Sequence, residues 1–185
     1  MTLPKIVYIP DTNIWSLAGL VNPPPHLVGW MKQVGVDRLA LTFPVIAELR
    51  RGAHMAEETD PAKGARLFVW VEILSRTGFV EIGMSAAVVD AYAKLTSLKA
   101  LKNLWCPDPR RQNCKLSHDL MIAAFSIGYG MPIASHNTKD FLTIHQYYPL
   151  PGLYDPLEAH WLIRGAAAME PPPAPGCERL IPAIQ

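Results

Sequence analysis

The chain has 185 residues, of which 50% are hydrophobic, and a formal net charge of +1. That suits one domain with an appendage and a sizeable core, and the charge gives no global sign of a nucleic-acid partner, so any such case rests on local charge. Three cysteines, Cys106, Cys114 and Cys177, fit a reducing compartment better than secretion; no apolar run approaches a membrane span, and MTLPKIVYIPD turns polar too early for a signal peptide, so a cytoplasmic protein with no membrane contact is expected.

In chain order, Lys5 to Pro10 is rich in β-branched and aromatic residues and predicts a first strand, ended by Asp11-Thr12-Asn13. Ile14 to Leu20 predicts a helix, and Pro23-Pro24-Pro25 starts another that runs through Trp30 and Met31 toward Gly35. Leu39 to Thr42 predicts a second strand. Pro44 opens a helix whose apolar face is Val45, Ile46 and Leu49, with Glu48 one turn in and Arg50-Arg51-Gly52 closing or weakly continuing it. A longer helix is predicted from Pro61 to Arg76, a third strand from Phe79 to Ile82, and an Ala-rich helix from Ser85 to Leu101. Leu104 to Lys115 breaks the pattern and reads as a loop. Ser117 can cap a helix with one broad buried face that stops at Gly128-Tyr129-Gly130; Met131 to Ser135 follows as a buried strand, and Asn137, Thr138 and Asp140 open the next helix. After an irregular stretch with a short edge strand near Leu153, Leu157 to Met169 predicts a last helix and Pro171 to Gly176 an extended spacer.

Alternating strands and helices make a mostly parallel sheet covered on both faces the expected architecture. In such a sheet Asp11 and Asp140 follow strand ends, while Asp119 and Glu48 lie in the first turns of helices. If those ends share one rim, four carboxylates converge, and their repulsion calls for a cation; oxygen-only ligands favour Mg²⁺ or Mn²⁺ over zinc. Each acid also has a plainer reading: Asp11 as a helix cap, Asp119 as a partner of the helix dipole, Asp140 with Asn137 as an N-cap pair, and Glu48 as a solvated glutamate.

IVYIPDTNI, FPVIAELRRG around Glu48, SHDLMIAAFSIGYG carrying Asp119 and PIASHNTKDF ending at Asp140 together resemble the PIN-domain ribonucleases, most closely the VapC-like toxins of toxin-antitoxin pairs, over roughly residues 4 to 145. The resemblance implies a PIN-like three-layer α/β/α domain over 1–148; the C-terminal helix and proline-rich extension read over 149–185 have no counterpart in that family. It implies a Mg²⁺ (or Mn²⁺) site made by Asp11, Glu48, Asp119 and Asp140, supported by Thr12, Ser135 and Asn137, that hydrolyses RNA. It also implies a homodimer and a cognate antitoxin partner. Ser135 stands where the family often has threonine.

Other constellations are weaker. Ser117-His118-Asp119 cannot act as a triad, because neighbours on a helix start do not face one another. Cys106, Cys114 and His118 fall one short of a zinc set. Asp11-Thr12-Asn13 resembles the nucleophile loop of haloacid-dehalogenase-like phosphatases, which wants a second aspartate where Asn13 stands. A catalytically silent PIN-fold binding module is the remaining alternative. Lys94, Lys99, Lys102, Arg110, Arg111 and Lys115, with Trp105 among them, could line an RNA path, Lys102, Arg110, Arg111 and Lys115 being the contact candidates, or simply form a solvated face.

Overall fold

Residues 7–105 and 118–165 are described in a computed structural model of the chain. Short apolar runs form the strands β1 (Ile9–Pro10), β2 (Ala40–Thr42), β3 (Val80–Ile82) and β4 (Ile133–Ala134), followed by β5 (Leu153–Asp155) and β6 (His160–Ile163). The helices are α1 (Thr12–Ala18), α2 (Pro25–Val34), α3 (Phe43–Thr59), α4 (Pro61–Arg76), α5 (Ala86–Ser97), α6 (Asp119–Tyr129) and α7 (Thr138–Tyr147).

The main sheet has the order β1-β4-β5-β6, with β1, β4 and β5 parallel and β6 antiparallel to β5. A parallel bridge between Tyr8 and Leu39 ties the parallel β2–β3 pair to the other side of β1. This is the expected α/β class with a mostly parallel central sheet. Parallel strands end on one rim, so the residues that follow β1, β4 and β5 are brought side by side. Ile9, Ile133, Ala134 and Leu153 are fully buried, as strands covered on both faces should be.

Helix α6 is the centre of the core: Leu120, Ile122, Ala123, Ala124 and Phe125 are all buried. A helix apolar on nearly every side has to be enclosed. It ends where expected, with Gly130 in the left-handed region (φ 66°), which a residue without a Cβ adopts at little cost. Gly128 has a different reason. A Cβ there would lie 2.7 Å from Val88 Cγ2 and 2.8 Å from the Val88 amide nitrogen, so the glycine lets α5 approach α6 backbone to backbone. Gly128→Ala is therefore expected to cost a net ~1–2 kcal/mol, because the clash outweighs the roughly 1 kcal/mol that alanine gains as a helix former. Urea denaturation of the two proteins checks this, and an equally or more stable variant would show that the helices can separate freely.

Several boundaries differ from expectation. Helix α3 does not close at Gly52 but runs to Thr59 and packs against α4. Helix α5 stops at Ser97, and Lys99–Leu104 is a 3-10 segment. The cap position of α6 belongs to His118, without a side-chain cap bond; Ser117 lies outside the described residues.

The largest correction concerns the helix expected from Leu157 to Met169. Asp155 Oδ1 accepts the backbone N–H groups of Leu157 (2.9 Å) and Glu158 (3.3 Å), and Ala159 takes a positive φ of 53°, which turns the chain back into β6. Trp161 then packs on Tyr154 and Tyr8, with ring centroids 5.1 and 5.9 Å apart. A bulky aromatic set on β5 and β6 suits a pleated hairpin better than the helix its spacing suggested. Residues 149–165 thus complete the central sheet instead of beginning an extension. The expected spacer at 171–176 and the rest of the tail lie outside the described residues.

Candidate active site

Asp11 is the first residue after β1 and is 4% exposed. Its Oδ1 accepts the Thr12 backbone N–H at 2.6 Å and so caps α1. Its Oδ2 accepts the Ser135 hydroxyl at 2.9 Å and the Asn13 side-chain amide at 2.5 Å. The cap reading and the site reading therefore both hold, one on each oxygen. Ser135, the first residue after β4, is also 3.0 Å from the Asn13 amide, and Asn13 Oδ1 accepts the His136 backbone N–H at 3.3 Å.

Glu48 reaches the same place from α3. Its Oε2 accepts the Thr12 hydroxyl at 2.7 Å, and His118 Nδ1 stands 3.6 Å away, a charge contact longer than a hydrogen bond. His118 Nδ1 is buried and, among the described residues, has no hydrogen-bond partner. Asp119, the first residue of α6, is 8% exposed at the positive end of that helix.

The electrostatics tie the three acids together. Burial, above all, and then the charges of Asp119 and Glu48 push the Asp11 pKa up to about 7, against the pull of the Ser135 hydroxyl and the Thr12 N–H. Burial works to raise the Glu48 pKa as well, yet the His118 ring, the Thr12 hydroxyl and the nearby Arg51 guanidinium hold it below its ordinary value. Removing one of the donors to Asp11 should thus move it further. In Ser135→Ala the Asp11 carboxyl is expected to titrate at higher pH than in the parent, by ¹³C NMR of the metal-free protein; an unchanged or lower midpoint would mean that the hydroxyl does not stabilise the carboxylate.

Asp140 occupies the first turn of α7, partly buried, and among the described residues no hydrogen bond or ion pair joins it to Asp11, Glu48 or Asp119. Asn137 holds the cap position of α7, exposed and without a side-chain cap bond. Lys94, Lys99 and Lys102 are exposed, Lys99 and Lys102 on a 3-10 segment that contacts α7; Arg110, Arg111 and Lys115 lie outside the described residues. Spacing alone did not single out Asn13, the amide that links β1 to β4. Its only signal was its place two residues after Asp11, where it also removes the second acid that a phosphatase nucleophile loop needs.

Among the described residues, no three His, Cys, Asp or Glu side chains form a ready-made metal cage. That says nothing of a zinc set using Cys106 and Cys114, which lie outside the described residues. It does not argue against Mg²⁺, which is usually held by one or two carboxylates with water and substrate phosphates filling the other positions. The buried Asp11–Asp119 pair, with oxygen donors only and charges that raise the Asp11 pKa, fits that kind of ion. No described helix is long and apolar enough to cross a membrane.

No protein-family model and no curated protein matches the sequence. Solved structures do match. The chain is similar to FitAB bound to an IR36 DNA fragment (18% identity, TM-score 0.55, covering 82% of this chain and 96% of that one). It is similar to VapBC-1 from nontypeable Haemophilus influenzae (22%, 0.55, 82% and 98%) and to FitAcB from Neisseria gonorrhoeae (20%, 0.51, 75% and 93%). At these identities the likeness concerns the backbone arrangement, and on that ground the chain has the PIN fold.

Proposed function

We propose that this protein is a cytoplasmic Mg²⁺- or Mn²⁺-dependent ribonuclease, the toxin of a toxin-antitoxin pair. The observation that carries the reading is a buried carboxylate, Asp11, on which Asp119 and Glu48 both bear, at the rim where the parallel strands end. The solved structures it resembles are toxin-antitoxin complexes, which supports an antitoxin partner here. Apolar side chains left exposed on α3 to α5, among them Phe43, Val69 and Val89, supply surface for that partner and for a second copy of the chain.

In this reading Asp11 and Asp119 hold the ion, and Ser135 and Asn13 keep Asp11 Oδ2 in one orientation. Glu48, fixed by the Thr12 hydroxyl, and Asp140, from α7, bind waters or a second ion. Asn137 and the exposed lysines of residues 94 to 102 follow the RNA backbone. When bound, Mg²⁺ supplies an activated water for in-line attack on phosphorus and offsets charge on the departing oxygen. No side chain is required as general base.

Incubation of the full chain with single-stranded RNA tests this. Cleavage in Mg²⁺ that stops in EDTA, with products free of 2′,3′-cyclic phosphate, is the expected result. Cyclic-phosphate ends would instead mean attack by the ribose hydroxyl, and intact RNA at saturating Mg²⁺ would leave a silent PIN-fold binding module.

A further inference from the structure

Beside the acidic cluster, on the same rim, stands a histidine–carboxylate pair that the proposed hydrolysis does not use. Asp155 ends β5, one strand beyond β4, and its side chain is 6% exposed. Its Oδ2 lies 2.9 Å from His136 Nδ1, while its Oδ1 takes the Leu157 and Glu158 N–H groups. The His136 backbone is itself bound to Asn13, which holds Asp11, and Ser135 immediately before it donates to Asp11. The ring of His136 is half exposed, at 49%, and among the described residues Nε2 has no partner.

The chemistry of this arrangement is directional. An ionised carboxylate is an acceptor only, so the neutral imidazole bound to it carries its proton on Nδ1 and turns a lone pair outward at Nε2. With Asp155 anchored by two backbone donors, the ring has one orientation, in the way a carboxylate orients a histidine beside a metal. A nucleic-acid strand crossing the rim to reach Asp11 brings phosphates, which only accept, and, if it is RNA, 2′-hydroxyls, which can donate.

On these grounds we infer that His136, held by Asp155, accepts a hydrogen bond from a ribose 2′-hydroxyl next to the scissile phosphate and so selects RNA over DNA. The inference rests on the ribonuclease reading for its substrate, but its test does not depend on cleavage. A purely structural pairing would lower stability when broken and leave strand preference alone. A protonated ring donating to phosphate would serve RNA and DNA alike.

The experiment measures the affinity of the full chain, in Mg²⁺, for fluorescent single-stranded RNA and DNA oligonucleotides of one sequence, with Asp119→Asn keeping the strands intact. His136→Phe preserves the ring volume and removes both nitrogens. It is expected to weaken RNA binding about three- to tenfold, the worth of one hydrogen bond, and to leave DNA binding unchanged. Asp155→Asn keeps an acceptor for the Leu157 and Glu158 turn but offers Nδ1 an amide donor, moving the ring proton to Nε2; it should lower the RNA preference too. Nitrogen-15 shifts of the His136 ring should report Nδ1–H in the free protein and a change at Nε2 when RNA is added.

Equal losses on both strands, no loss on either with circular dichroism unchanged, or a parent protein that does not prefer RNA would each overturn the inference. So would a ring protonated at Nε2 in the free protein. If the chain cuts no RNA yet prefers it through His136, the ribonuclease reading fails and this one stands. If it cuts RNA and His136→Phe leaves the preference intact, the reverse holds.

Discussion

Asp11→Asn is expected to slow metal-dependent RNA cleavage by about a thousandfold, the equivalent of ~4 kcal/mol of lost metal-borne charge stabilisation. The fold should survive. Asparagine can still cap α1 through Thr12, and the Ser135 hydroxyl, which accepts as readily as it donates, can turn to meet the new amide, while the Asn13 amide loses its acceptor on that side. A buried charge that two other carboxylates oppose is removed at the same time, which offsets the lost Asn13 bond, so the metal-free variant should be about as stable as its parent at neutral pH. Single-turnover cleavage and urea denaturation, run on the same preparations, measure both effects. A folded variant that retains a tenth or more of the cleavage rate would remove Asp11 from the site.

The second large effect is on stability as a function of pH. With its pKa raised from 3.8 to about 7, the native Asp11 keeps a proton that the unfolded chain has already lost between those two values. Stability from this group is therefore full below the unfolded value and is lost as pH rises through the folded one. The metal-free protein should weaken from about pH 4 to about pH 7 by a few kcal/mol, on the order of 4 at most from a shift of roughly three units. Glu48 has the opposite sign: its depressed pKa contributes stability above its ordinary value of 4.5 that is lost in more acid solution.

Saturating Mg²⁺ should offset the neutral-pH loss, since proton and ion compete for the same carboxylate, by about 2.7 kcal/mol at a hundred times its dissociation constant. In Asp11→Asn both the decline and the response to Mg²⁺ should largely disappear. Parallel pH profiles for parent and variant would locate the effect in another group.

Much of this could be read in the sequence because it is local. A strand followed by Asp-Thr-Asn, a proline-started helix with Glu48 one turn in, and Asp119 opening a buried helix each announce an acid at an element end. The parallel order of strands then sets Asp119 and Glu48 near enough to Asp11 for their charges to raise its pKa. What was not legible depends on register between distant segments. The Asn13–Ser135 contact spans 122 positions, and the His136–Asp155 pair exists only because β4 and β5 lie side by side.

The same limit explains the misread tail. Leu157, Trp161 and Leu162 have helical spacing, but Trp161 packs on Tyr154 of β5 and on Tyr8 beside β1, and those contacts favour the hairpin. Asp140 is legible as an acid after a strand. Its convergence with the other three is not, because the first turn of α7 sets its direction, and no bond to them fixes it.

The claim at the centre of this account is that a divalent ion binds between Asp11 and Asp119. Paramagnetic Mn²⁺ titrated into ¹⁵N-labelled protein tests it most directly, because broadening falls steeply with distance from the ion. The account predicts that the amides of Asp11, Thr12, Asn13 and Asp119 broaden first, and that Asp11→Asn largely abolishes the effect. Broadening centred elsewhere, or an identical pattern in the variant, would contradict it.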